Sequence, residues 1–493
     1  MLASLRTLIG LRSTAASLVL LLTVAACDDS DGGERFAGTP TAPPTRTAAA
    51  TRTPIATSEP SGTRTPTNTV AAPTASGTPS HSPTSAPSHT ATLAPTNTVA
   101  ATATATATAT LPQPTATHSA TATITATPTI TPTATPTGLQ ANGSVEQVWI
   151  IGAVPGSTLE LRDGEGNLVA SDSADAQGSL LFRQITPAAD YRVHSLATGE
   201  TSAPLTVRTA DDVPPTSFYQ SQRVSQGYGY LRTRDGTLLA INVLLPGPAS
   251  EGPYPTVVEY SGYDPANPNA PQPSSLIASN IGYAVVGVNM RGTGCSGGVF
   301  DYFETLQSTD GYDVIETIAA QPWVKFGQVG MVGLSYPGIT QLFVAQMQPP
   351  HLAAIAPLSV IADIGQGVLY PGGILNNGFA VEWAAGRQND ARPGGQFWSQ
   401  ERMDAGDQVC IDNQRLRAQT VDILQRVEDT PFYDPPVVDP LSPFTFVDRI
   451  DVPVFLAGAW QDEQTGGYFA TMLDKFTTEP AHFTLTNGGH TDA

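Results

Sequence analysis

The sequence is short of charge. Only 13% of its 493 residues are charged, about half the usual share. Some long segment must therefore be nearly uncharged. Basic residues are the scarcer kind: 23 Lys and Arg face 43 Asp and Glu, for a formal net charge of −20. No excess of cations is available to neutralise phosphates, which argues against a nucleic-acid partner. Cysteine is almost absent, with only Cys27, Cys295 and Cys410. There is no cluster of metal ligands and no glycine-rich dinucleotide fingerprint, so no cofactor is expected. Long apolar runs are also missing. Beyond the N-terminal segment, no stretch is long and apolar enough for a transmembrane helix.

What is present begins at the N-terminus. Arg6 and Arg12 precede an apolar run over residues 15–24, too short to span a bilayer comfortably. It ends in Val24-Ala25-Ala26-Cys27, which resembles the lipobox of bacterial lipoproteins. The resemblance implies a signal peptide over residues 1–27 and lipidation of Cys27. The mature chain would then be lipid-anchored to the bacterial membrane and extracytoplasmic, at the cell surface or in the periplasm. An ordinary cleaved signal or a short buried helix is the alternative. Residues 28–137 read as a linker. From residue 38 they are Thr, Ala and Pro with almost nothing to bury, so the entropy of ordering is not offset. At up to ~3 Å per residue, an extended, proline-rich tether would reach a few hundred Å. A glycosylated stalk and a plain tether both fit.

The composition changes near Gly138. Short apolar runs such as Val148-Trp149-Ile150-Ile151, Leu159-Glu160-Leu161 and Leu180-Leu181-Phe182 alternate with Pro-Gly, Asp-Gly and Gly-Asn turn signals. This spacing predicts a small all-β sandwich over residues 138–212. A spacer and a polymer-binding module are both open readings of it. Residues 213–493 follow another pattern. A hairpin with an Asp235-Gly236 turn comes first. Near-continuous β-type runs then alternate with helical apolar spacing, including a helix expected over 311–320 and another over 338–347. Strands without polar alternation are covered on both faces, so the fold class is α/β with a doubly covered sheet. Residues of about 363–448 break the alternation and predict a helical cap over the strands' C-terminal edge.

The chemistry sits on that edge. Gly333-Leu334-Ser335-Tyr336-Pro337-Gly338 joins an expected strand to an expected helix, the context of a nucleophile elbow. Pro337 stands where the common pattern has glycine, and it is tolerated in a first helical turn. A serine nucleophile needs a base. His351, His482 and His490 are the histidines that follow Ser335. His490 comes after Asn487-Gly488-Gly489, in a loop directly behind an expected strand, and is the candidate. The carboxylate that orients it should lie between the two. Asp462 qualifies, after the strand at 454–459, with Glu463 as competitor.

Together with Tyr263-Asp264, Arg291-Gly292-Thr293-Gly294, Asp310-Gly311-Tyr312-Asp313, Gln321-Pro322-Trp323 and Trp460-Gln461-Asp462, this elbow resembles the cocaine-esterase/X-Pro dipeptidyl-peptidase family of serine hydrolases. The resemblance runs from about Tyr228 to the C-terminus. It implies an α/β-hydrolase fold and a triad of Ser335, Asp462 and His490. It also implies an oxyanion hole made by the Tyr336 amide and the Tyr263 hydroxyl. The expected reaction is acyl transfer to water on a small-molecule ester, amide or X-Pro peptide. Arg291 is expected to organise its loop, and Asp310 and Asp313 to cap and flank a helix start. In an oxidising compartment Cys295 and Cys410 form a possible disulfide between the Arg291 loop and the cap; two buried thiols are the alternative. Family members continue past the histidine into a closing helix and a jelly-roll domain. The chain stops at Ala493, so a fragment or a truncated product is expected. That leaves a non-catalytic, stalked binding module as the rival reading.

Overall fold

Alternation of apolar residues builds the first pair of sheets. In the strand Gln147–Ile151, Val148 and Ile150 point inward while their neighbours are partly exposed. The strand Thr158–Arg162 repeats this with Leu159 and Leu161. Such a period of two puts one face of each strand in the core. The computed structural model describes residues 138–430 and 432–493. The proposed signal peptide with Cys27, the linker at 28–137 and the histidines at 81, 89 and 118 lie outside the described residues.

The strands are β1 (Gln140–Gly143), β2 (Gln147–Ile151), β3 (Thr158–Arg162), β4 (Leu168–Ser173), β5 (Leu180–Arg183), β6 (Ala188–Ser195) and β7 (Leu205–Val207). They form two antiparallel sheets, β1-β2-β5 and β4-β3-β6-β7. The inward residues of both, among them Val148, Ile150, Leu159, Leu161 and Val193, share one core. Two sheets packed face to face in this way are a β-sandwich.

The second sheet has eight strands: β8 (Gly227–Arg232), β9 (Leu238–Leu244), β10 (Thr256–Ser261), β11 (Ala284–Asn289), β12 (Val329–Leu334), β13 (Leu352–Leu358), β14 (Val454–Ala459) and β15 (Ala481–Thr486). Their spatial order is β15-β14-β13-β12-β10-β11-β9-β8. The hairpin β8–β9 is antiparallel, and the strands from β11 to β15 run parallel. Every residue of β10, β11 and β14 is buried, as a sheet covered on both faces requires. Helices α1 (Pro273–Asn280), α2 (Thr305–Ala319) and α3 (Tyr336–Ala345) connect the parallel strands. This is the α/β-hydrolase fold. Between β13 and β14 the chain leaves the sheet and turns helical, with α4 (Phe379–Asp390), α5 (Phe397–Asp404) and α6 (Gln408–Asn413) as its longer pieces before a further helix at Ile423–Asp429.

Two expected helices begin earlier than their apolar spacing suggests. α3 starts at Tyr336 because Pro337, which has no N–H to lose, fits its first turn. α2 starts at Thr305, which corrects the role given to two acids: Asp310 and Asp313 lie in the helix interior and are fully buried. Arginines from other segments make this possible. Asp310 takes Nε and Nη2 of Arg291, each at 2.6 Å. Asp313 takes the guanidinium of Arg234 at 3.0–3.2 Å and the Tyr219 hydroxyl at 2.8 Å. Cys295, on the Arg291 loop, is joined to Cys410 in α6 by a disulfide. The buried guanidinium of Arg417 adds a second tie, donating to the carbonyls of Gly294 and Ser296.

Candidate active site

The turn from β12 into α3 must be tight, and its neighbours show why they are small. A Cβ on Gly333 would stand 2.5 Å from Pro337 Cβ, and one on Gly338 would stand 2.5 Å from the Leu358 carbonyl oxygen. The glycine displaced by Pro337 is therefore used one residue later, where the elbow meets β13. Between them Ser335 has φ 68° and ψ −124°. A non-glycine residue held there costs about 1–3 kcal/mol. Hydrogen bonds hold it: the Ser335 amide donates to Leu358 at 2.9 Å, and its carbonyl accepts from Gly338 and Ile339 at 2.8 Å each. The side chain is thereby lifted off the sheet edge.

His490 follows β15 and is buried. Its main chain is fixed on both sides. The amide donates to Glu463 Oε2 at 3.0 Å, and the carbonyl accepts from the Ser359 hydroxyl at 2.6 Å. Its Nδ1 meets both oxygens of Asp462, at 2.9 and 2.8 Å. Nε2 is buried and has no hydrogen-bond partner among the described residues. Asp462 itself is held by the amides of Gln464 and Thr465, each at 2.8 Å, and by the Thr465 hydroxyl at 2.6 Å. Burial alone would raise the pKa of this carboxyl. The bonds from His490, from the Thr465 hydroxyl and from the two amides outweigh it and hold the group at about 2. An ionised carboxylate on Nδ1 fixes the tautomer that leaves Nε2 free to accept a proton.

Tyr263 follows β10. Its hydroxyl accepts from Trp383 Nε1 of the cap at 3.0 Å. Indole nitrogen only donates, so the phenol keeps its own hydrogen for another acceptor. The Tyr263 ring packs edge-on against Tyr336, with centroids 5.4 Å apart. The Tyr336 amide is the first of α3, where N–H groups have no intrahelical acceptor.

The structure brings these residues to shared walls. Ser335, Tyr263 and His490 line one recess of about 470 Å³. Ser335 also lines a second cavity of about 450 Å³ under the cap, whose wall includes Tyr302, Phe303, Ile361 and Trp383. His351 lies elsewhere, paired with Glu316 at 2.7 Å. His482 is exposed within β15. Glu463 serves the His490 main chain rather than its ring. Ser359, Thr465 and Trp383 belong to no catalytic motif in the sequence. Only Thr465 left a local signal, since an Asp with a Thr three residues on is a common side-chain-to-backbone turn.

Comparison with known proteins places the chain among serine hydrolases. The family described as X-Pro dipeptidyl-peptidase (S15 family) matches residues 235–492. Cocaine esterase from Rhodococcus sp. (strain MB1 Bresler) is 31% identical over 231 residues, covering 45% of this chain and 37% of that protein. The chain thus spans well under half the length of that relative. A solved CocE/NonD family hydrolase from Staphylococcus aureus is 24% identical, with a TM-score of 0.43, over 54% of this chain and 46% of that one. An aminopeptidase from a Thaumarchaeota archaeon is 20% identical, with a TM-score of 0.42, over 56% and 50%.

Proposed function

The chain belongs to the X-Pro dipeptidyl-peptidase (S15) family, and from that premise we propose that it is a serine hydrolase acting through Ser335, His490 and Asp462. Ser335 attacks an ester or amide carbonyl, and His490 Nε2 takes the hydroxyl proton. His490 then passes that proton to the leaving group. Water attacks the acyl-enzyme by the same route and frees Ser335. The Tyr336 amide and the Tyr263 hydroxyl receive the oxyanion. One observation carries this reading: a buried imidazole gripped by a carboxylate at Nδ1, unpartnered at Nε2, lines the same recess as a strained serine. The substrate is a small ester, an amide or an X-Pro peptide.

We also propose that the protein is exported and lipid-anchored through Cys27. The Cys295–Cys410 bridge supports an oxidising compartment. The catalytic reading is tested with a fluorophosphonate probe on the full chain. Wild type should be labelled and Ser335→Ala should not; labelling that survives the substitution sinks the assignment.

A further inference from the structure

The small β-sandwich is more than a spacer in front of the hydrolase. It is joined to that part through polar contacts that are buried or partly buried. Ser144 donates to Asp235 Oδ2 at 2.6 Å and Asn142 to the Asp235 carbonyl at 2.7 Å. Arg183 donates to the Gln419 carbonyl at 2.6 Å, and the Gln419 side chain accepts from the Leu181 amide at 3.2 Å. One contact reaches the cavity wall: Gln147 Nε2 donates to Glu304 Oε2 at 2.8 Å.

Gln184 stands at the same place. β5 ends at Arg183, and Gln184 takes φ 55°, a left-handed conformation that turns the chain sharply out of the strand. Gln184 is among the residues that line the cap cavity, as Ser335 is. Asp301, Glu304 and Arg426 lie on that wall too. Asp301 is already paired with Arg426 at 2.9 Å, and Glu304 is engaged by Gln147. Burial, then the nearby Asp301, pushes the Glu304 carboxyl up to about 7. Gln184 is exposed to solvent, so its carboxamide is open to a ligand at the cavity mouth. The rest of the wall is largely apolar, with Phe303, Ile361, Val368 and Trp383.

The two cavities meet at Ser335. In acyl transfer the histidine hands its proton to the leaving group. His490 lines the recess with Tyr263 and does not line the cap cavity. On the Ser335 reading this assigns the leaving group to the His490 side and the acyl part to the cap cavity. Resting on the Ser335 reading, we propose that Gln184 of the β-sandwich is a specificity residue. Its carboxamide, which both donates and accepts, reads a neutral hydrogen-bonding group at the end of an otherwise apolar acyl chain. The Gln147–Glu304 contact positions that wall.

Two esters of equal length test this on the full chain: p-nitrophenyl hexanoate, and its analogue ending in a primary carboxamide. A site built to hydrogen-bond a substrate discriminates strongly against a mismatch. Gln184→Leu should lower kcat/KM for the carboxamide ester, relative to hexanoate, about tenfold. Gln147→Leu should move the same ratio in the same direction by a smaller factor. The ratio is insensitive to how much protein folds. If wild type is labelled by the fluorophosphonate probe but Gln184→Leu leaves the ratio unchanged, the specificity role is overturned and the Ser335 reading stands. If wild type is neither labelled nor active, the Ser335 reading fails and the specificity role falls with it.

Discussion

Asp462 and Asp310 each grip a nitrogen base with both carboxylate oxygens, and the two bases are left in opposite states. Asp310 holds Arg291 through Nε and Nη2, and the remaining Nη1 goes to Asp235 at 3.2 Å. Burial alone would lower the Arg291 pKa, but the charges of Asp235 and Asp310 raise it well above its ordinary value. A guanidinium in that position keeps its proton and can only fasten segments together. Here it fastens the loop after β11 to α2 and, through Asp235 and Ser144, to the β-sandwich. Asp462 holds an imidazole at one nitrogen, while the other is buried and unpartnered. An imidazole can gain and lose a proton near neutrality. On the proposed mechanism, what separates the acid assigned to catalysis from the structural one is the chemistry left open on its partner, not its own burial.

Replacing each acid by its amide should split the two roles. The largest effect is expected at Asp462, the acid proposed to orient His490. Asp462→Asn keeps the shape but disturbs the tautomer of His490, and kcat should fall about 10⁴-fold, or ~5.5 kcal/mol in barrier. Steady-state kinetics on an activated ester measure it, and retention of a tenth of wild-type activity would leave Asp462 no different from Asp310. Asp310→Asn should do the reverse. Removing one partner of a buried ion pair costs about 3–5 kcal/mol of stability. Urea unfolding should show that loss, while kcat per folded molecule stays within a few-fold of wild type. A kcat collapse without a stability loss would place Asp310 in the chemistry instead.

The same contrast explains what could be read from the sequence. Ser335, Asp462 and His490 each follow a strand within four residues, so strand patterns and chain order were enough to name them as candidates. The cap was visible because it interrupts the strand–helix alternation. Asp310 and Asp313 were misread because a sequence shows which face of a helix is acidic but not which arginine is packed against it. Their partners Arg291 and Arg234 come from a distant loop and turn. Thr465, Glu463 and Ser359 support the histidine loop through contacts with Asp462 and the main chain at 490. Polar residues in loops carry no periodic signal, so such contacts appear only once β13, β14 and β15 lie side by side. The docking of the β-sandwich was hidden for the same reason: Ser144 and Asp235 are 91 residues apart in the chain.

Acid provides the finest separation of the two carboxylate networks. In the folded state the Asp462 carboxyl is held at about 2, below its ordinary 3.8. A depressed carboxylate stabilises the fold above its ordinary pKa, and this contribution is lost as the pH falls through its folded value. That lowering corresponds to roughly 2 kcal/mol. Asp235 is also depressed: burial raises it, but the Arg291 charge and the Ser144 hydroxyl bring it below the usual carboxylate range. Its contribution is present in both wild type and Asp462→Asn and cancels when the two are compared. Wild type should therefore exceed Asp462→Asn by roughly 2 kcal/mol at pH 7, and the gap should close between pH 4 and pH 2. Urea unfolding across that range measures it. Curves that stay parallel down to pH 2 would mean that the bonds from His490 and Thr465 do not hold the carboxylate ionised, and the tautomer argument for Nε2 would lose its electrostatic basis.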